Sequence, residues 1–182
     1  MNTKKPLAGQ VALVAGATRG AGRGIACMLG AAGATVYCSG RSTREHPPSD
    51  GVYAGRRETI DETAEMVTAR GGTGIAARTD HLDERQVAAL CARIAQEQGR
   101  LDVLVNDISE GEMHDWGPFW KADLDKGFRA LQRGIQTHII TARHAAPLMV
   151  EQKRGLIVEI GDGDALYYRG TLFYDLVKVT TT

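Results

Sequence analysis

Short apolar runs alternate along this chain with longer stretches in which apolar residues recur every three or four positions. The runs fall at 10–15, 34–38, 74–79, 101–106 and 155–160, and each predicts a β-strand. The periodic stretches predict helices near 21–32, 58–70, 84–98 and 122–152, with a last one from about 172 onward. Leu101-Asp-Val-Leu-Val and Leu156-Ile-Val are close to continuously apolar, as parallel strands covered on both faces must be. Strands alternating with helices in this way predict an α/β protein: a doubly wound, Rossmann-type parallel sheet in a single domain spanning 1–182. Asp83 stands where it would cap the helix at 84–98, and Gly30-Ala-Ala-Gly-Ala closes the first helix. The segment 42–57, with two adjacent prolines, reads as a long loop unless it folds over a ligand.

The junction after the first strand carries the first chemistry. Val11-Ala-Leu-Val-Ala15 runs into Gly16-Ala-Thr18-Arg19-Gly20-Ala-Gly22, and helical periodicity begins at once. A strand, a glycine turn and a helix in that order place free backbone N–H groups and the positive helix end where a pyrophosphate can lie. The spacing is G-x3-G-x-G. It is not the common G-x-G-x-x-G, because Ile25 stands at its last glycine, and no Gly-Lys-Ser/Thr follows to make a P-loop. An ordinary strand-to-helix turn would use the same residues, but strand and helix signals flank this one on both sides.

The second strand ends in Val36-Tyr-Cys-Ser-Gly40-Arg41-Ser42, about 20 residues past the last glycine, where a dinucleotide fold meets the adenosine ribose. A carboxylate here would bind the ribose hydroxyls of NAD(H). Arg41 and Ser42 stand there instead, and Arg19 lies within reach from the turn. Guanidinium forks match phosphate oxygens in pairs, so NADP(H) is expected in preference to NAD(H).

Bulk properties remove other classes. The 22 basic and 22 acidic residues balance, so no nucleic-acid or membrane-surface partner is expected. No apolar run approaches the length of a membrane span, and Met1-Asn-Thr-Lys-Lys-Pro lacks a signal-peptide core. Cys27, Cys38 and Cys91 are scattered and read as buried thiols of a cytoplasmic protein. The five histidines form no ligand-spaced cluster, so no metal is expected.

With Gly16, Gly20 and Gly22, the segments Leu101–Asn106 and Tyr174-Asp-Leu-Val-Lys178 make the chain resemble the short-chain dehydrogenases/reductases from about residue 7 to its end. The chain looks similar to the branch of dehydrogenase/reductase family member 1 and its bacterial relatives, which have a similarly long segment after the second strand. The resemblance implies an NADP(H)-dependent oxidoreductase that interconverts a carbonyl and an alcohol. Tyr174 would be the general acid/base and Lys178, one helical turn on, would lower its pKa and hold the nicotinamide ribose. A phenol near pKa 10 needs about 4 kcal/mol to titrate near neutrality. One cation about 4 Å away, at an effective dielectric near 20, provides energy of that order. Thr18 would join the cofactor turn, Asp80 would contact the adenine, and Asn106 would close over the cofactor and steady the sheet. Dimers or tetramers are expected by the same analogy, with a small carbonyl or alcohol substrate.

Three departures accompany the match. Asp107-Ile108-Ser109 replaces the family's Asn-Ala-Gly. The substrate-polarising serine has no counterpart, since Gly161-Asp162-Gly163-Asp164 occupies its region. Asp162 would serve in its place only if protonated or holding a water; a plain turn is the competing reading. The family's helix asparagine falls near Gly134. Relatives also continue beyond Thr182, so a C-terminally truncated domain that lacks its last strands is expected. The second functional expectation is a dinucleotide-binding protein that no longer catalyses and serves as a sensor or assembly subunit.

Overall fold

A computed structural model describes residues 5–48, 51–109, 111, 116–162 and 168–180. Five parallel strands form one sheet in the order β3-β2-β1-β4-β5. They are β1 (Val11–Ala15), β2 (Thr35–Gly40), β3 (Thr73–Arg78), β4 (Val103–Asn106) and β5 (Leu156–Glu159). The helices are α1 (Gly20–Ala31), α2 (Ile60–Ala69), α3 (Glu84–Gln98), α4 (Leu124–Leu131), α5 (Thr137–Glu151) and α6 (Leu172–Thr180). The doubly wound architecture is therefore as expected.

The two-residue alternation of the central strands builds the two sides of the core. Val11 and Leu13 point to a cluster with Leu90, Ile94, Leu104 and Met149, which is covered by α3 and α5. Ala12 and Val14 point the other way, to Ala26, Ile60, Val67 and Val105, under α1 and α2. Small residues dominate the α1 side, so helix and sheet approach closely. A Cβ at Gly74 would overlap the Ala64 carbonyl. The expected capping is present: Asp83 accepts from the amides of Arg85 (2.9 Å) and Gln86 (3.4 Å).

Strand order reverses between β1 and β4, because β1 pairs with β2 on one side and β4 on the other. Ala15 is registered with both Ser39 and Asn106, so the loops following all three strands open at one place. That crevice is where an open α/β sheet binds its ligand.

The structure corrects two expected boundaries. β4 begins at Val103 instead of 101, because Leu101 and Asp102 serve the core and the strand entry: Asp102 is 4% exposed and accepts the Val11 amide at 2.8 Å. The helix expected over 122–152 is interrupted. A π turn at Gln132–Gln136 separates α4 from α5, with buried Gly134 inside it. Glycine is the weakest helix former short of proline, and here it lies where the ladder widens by one residue.

Candidate functional site

The glycine turn owes its shape to its backbone. Gly16 has φ +93° and Gly20 φ +57°, conformations in which a Cβ is strained. The amides of Gly16 and Ala17 both donate to the Ser39 carbonyl at 3.0 Å, fixing the turn to β2. A side chain at Gly16 would strike the Asp107 carbonyl, and one at Gly22 would strike the Gly16 carbonyl and the Asp107 carboxylate. Arg19 takes the N-cap position of α1 without a side-chain acceptor, and the first turn holds no acidic residue. The positive end of α1 is thus left for an anion.

A groove of about 710 Å³ opens above this turn. Gly16, Thr18, Arg19, Gly20, Arg41, Ser42 and Asp80 all line it, so the structure brings together seven of the expected cofactor residues. Asp80 also accepts the Leu82 amide at 3.0 Å, which orients its carboxylate. Gly22 lies behind the turn, and Asn106 is fully buried at the end of β4. Asn106 donates from Nδ2 to Glu159 Oε1 at 2.6 Å, while its Oδ1 has no partner among the described residues. Glu159 in turn lies 2.6 Å from His138 Nδ1, and His138 Nε2 lies 3.0 Å from the Ile108 carbonyl. Asn106 therefore ties β4 to β5, and His138 ties α5 to the loop after β4.

Two arginines of the turn behave differently. Arg23 is held by acceptors: its Nε donates to Thr18 O (3.0 Å) and Thr63 Oγ1 (3.1 Å), and its Nη2 pairs with Glu62 at 2.6 Å. Arg19 has its Nε and Nη2 buried with no hydrogen-bond partner among the described residues. Burial pulls its guanidinium below the ordinary value, with Glu58 and Tyr53 acting in the opposite direction. Two adjacent N–H groups without an acceptor suit a bidentate oxyanion, a phosphate among them. The NADP(H) group therefore fits the residues present.

Several groove residues escaped sequence reading. Tyr53 stacks on Arg19, with the guanidinium carbon 4.3 Å from the ring centroid. Arg78 adds a positive charge, His46 also lines the groove, and Asp107 closes the far wall. Asp107 accepts the Gly22 amide. Burial pushes its carboxyl up, and that amide together with the charges of Lys178 and His138 pulls it partly back. His81, which also lines the groove, is buried to 4% exposure between Ser39 Oγ (2.9 Å) and Thr141 Oγ1 (2.8 Å). Desolvation lowers its pKa to about 4, so the ring is neutral at physiological pH.

The other expected chemistry lies on α6. Phe173 packs edge-on against Phe128 at 5.9 Å and fills the space over Gly127, which anchors α6 to α4. Lys178 Nζ lies 5.4 Å from the Tyr174 ring centroid, one turn on. The Tyr174 hydroxyl donates to Asp162 Oδ2. Arg169 donates from Nη1 to the same oxygen at 2.8 Å and from Nε to Asp175 at 2.9 Å. The Tyr174 hydroxyl and the Arg169 guanidinium hold Asp162 below the usual carboxylate range. Of the two conditions under which Asp162 would serve, protonation is disfavoured: the group beside Tyr174 is an ionised acceptor. The Gly163-Asp164 half of the expected turn lies outside the described residues.

Tyr174, Lys178 and Asp162 do not line the groove, but Lys178 acts electrostatically on Asp107, which does. The model of the family described as short chain dehydrogenase matches residues 10–171. The chain belongs to that family. It is 33% identical over 178 residues to human dehydrogenase/reductase SDR family member 1, covering 95% of this chain and 52% of the relative. A Mycobacterium thermoresistibile short chain dehydrogenase superposes with a TM-score of 0.81 at 22% identity, covering 96% of this chain and 60% of that one. A metagenomic short-chain oxidoreductase in complex with NADP superposes with a TM-score of 0.76 at 25% identity, covering 97% and 73%. The chain thus spans about half the length of the human relative. It shares the family's parallel sheet and glycine turn, and NAD(P) binding is a property of that fold.

Proposed function

We propose that this short-chain dehydrogenase binds NADP(H) in preference to NAD(H) and interconverts a carbonyl and an alcohol, with Tyr174 as the proton donor and acceptor. The observation that carries the reading is the pair of buried donors, Nε and Nη2 of Arg19, that have no hydrogen-bond partner among the described residues, beside a glycine turn suited to a pyrophosphate. Arg41 and Ser42 line the same end of the groove and would share the 2′-phosphate; Thr18, Gly20 and Asp80 would hold the rest of the adenosine half. When bound, the nicotinamide supplies or accepts the hydride. Tyr174 holds the exchangeable proton on its hydroxyl, and Lys178 presents a positive charge to the phenol from one turn away. The NADP complex of the metagenomic neighbour supports the cofactor class.

Calorimetric titration tests the cofactor. NADPH is expected to bind at least tenfold tighter than NADH, and Arg19→Ala to erase most of that difference; equal affinities in the unmodified chain would refute the reading. Oxidation of NADPH with a panel of aldehydes and ketones tests the chemistry, and Tyr174→Phe should abolish any turnover found.

A second reading, a dinucleotide binder without catalysis, draws on Asp162. A carboxylate accepts hydrogen bonds and cannot donate one to a substrate carbonyl. Here it occupies the neighbourhood of the Tyr174 hydroxyl. Absence of turnover with retained NADPH binding would favour that reading. Residence in the cytoplasm and pairing of two or four copies complete the proposal. The exposed apolar residues Phe128 (57%) on α4 and Ile139 (61%) on α5 support self-association, which light scattering would measure.

A further inference from the structure

Two arginines leave the glycine turn, and only one of them is tied down by acceptors. What fixes the other is an aromatic ring from a different part of the chain. Tyr53 belongs to the short 3-10 turn Gly51–Tyr53 in the long segment between β2 and α2. The Arg19 guanidinium carbon lies over its ring. Its hydroxyl lies 2.8 Å from Ser109 Oγ, in the loop after β4 on the opposite wall. One side chain therefore bridges the groove between Arg19 and Ser109.

The geometry divides the labour of the guanidinium. A cation–π contact through the guanidinium carbon uses none of its N–H donors. Nε and Nη2, the adjacent pair that meets two oxygens of one phosphate side-on, are buried without a hydrogen-bond partner among the described residues. Glu58, the carboxylate with the largest pull on Arg19, is engaged by Arg56. Arg19 is thus oriented by a neutral ring and left without a carboxylate of its own. A free arginine would lose much of its rotamer entropy on binding a ligand; a stacked one has already lost it.

We propose that Tyr53 is the residue that makes the site selective for a ribose 2′-phosphate. Its ring pre-sets Arg19 for that group alone, and its hydroxyl, through Ser109, clasps the groove over the dinucleotide whichever form is bound. The inference rests on the NADP(H) reading above and separates into two measurable parts. The ring governs the ratio of NADPH to NADH affinity, and the hydroxyl governs the residence time of both.

The test is fluorescence titration and stopped-flow release of NADPH and NADH with the full chain and its Tyr53→Leu, Tyr53→Ala, Tyr53→Phe and Ser109→Ala variants, with Tm recorded for each. Relative to Tyr53→Phe, which lacks the same hydroxyl, Tyr53→Leu and Tyr53→Ala are expected to weaken NADPH about five- to thirtyfold, the range a desolvated cation–π contact commands. NADH affinity should stay within about twofold of that of Tyr53→Phe. Tyr53→Phe and Ser109→Ala should keep the affinity ratio and release both nucleotides about fivefold faster, as expected for one lost hydrogen bond. If both ring-removing variants keep their Tm and the wild-type NADPH preference, the inference is overturned while the cofactor reading stands. If they weaken both nucleotides equally, Tyr53 is a general clasp and the selectivity claim is overturned. If the unmodified chain shows no NADPH preference, the reading and the inference fall together.

Discussion

Acidification should destabilise this protein through one buried ring. His81 sits between β2 and α5, held by Ser39 and Thr141 and close to Asp80 and His138. Desolvation is the main cause that lowers its pKa from 6.5 to about 4. In the unfolded chain the same imidazole takes up a proton near 6.5, so between these values the unfolded state binds one more proton than the folded state. Stability from this group is complete above about pH 6.5 and is lost as pH falls towards 4. About 2.5 units at about 1.4 kcal/mol each gives a loss of about 3 kcal/mol, a large fraction of the 5–15 kcal/mol typical of a domain. The perturbation that isolates it is His81→Gln, which cannot charge. Urea unfolding of both proteins at several pH values between 7.5 and 4.5 removes the contribution of the other four histidines by difference. The variant should be less stable at pH 7.5, by about 1–2 kcal/mol for an imperfect refit of two buried hydrogen bonds. The gap should then shrink by close to 1.4 kcal/mol per pH unit below 6.5 and reverse near pH 5. Parallel curves for the two proteins would refute the assignment.

Gly16→Ala should lower Tm and abolish nucleotide binding, because φ +93° and the Asp107 carbonyl both exclude a Cβ. A cost of about 2 kcal/mol or more is expected from differential scanning calorimetry. Asp107→Asn keeps an acceptor for the Gly22 amide but removes a negative charge from the anion site. NADPH should bind about fivefold tighter at low salt, an advantage of about 1 kcal/mol that fades as ionic strength rises. Because burial pushes the Asp107 carboxyl up, the variant and the unmodified chain should converge in affinity as pH falls. Asp162→Ser exchanges an acceptor at Tyr174 for a donor. Any NADPH-linked carbonyl reduction should rise at least tenfold, by the measure of a single oxyanion donor; an unchanged or lower rate would show that the carboxylate does not oppose the reaction.

Local pattern carried the fold. Each strand run and each helical periodicity lay within one segment, and the reversal of strand order put Gly16, Arg19, Arg41 and Asp80 in one groove as expected. What stayed hidden needs two segments at once. Nothing in the residues around Tyr53 shows that its ring will meet Arg19, 34 positions earlier, or Ser109, 56 positions later. Asn106 was legible as a residue of the sheet end, but its partner Glu159 lies on another strand. The interruption of the long helix was illegible for a different reason: Gly134 lowers helix propensity without indicating whether the helix ends, kinks or widens. Asp162 was legible as a departure, and only its neighbours Arg169 and Tyr174 decided its charge.

The widened turn at Gln132–Gln136 has a consequence for how this helix tolerates change in length. A π turn holds one residue more than a regular α-helix needs, so the stretches on either side keep their own phase. Upstream, Phe128 points at Phe173; downstream, His138 and Thr141 point at Glu159 and His81. Loss of a single codon from this stretch, ruinous in an ordinary helix, would let the turn tighten while both faces keep their partners. An inserted codon anywhere in α5 before Thr141 would have no such slack and would rotate His81's support away from the sheet.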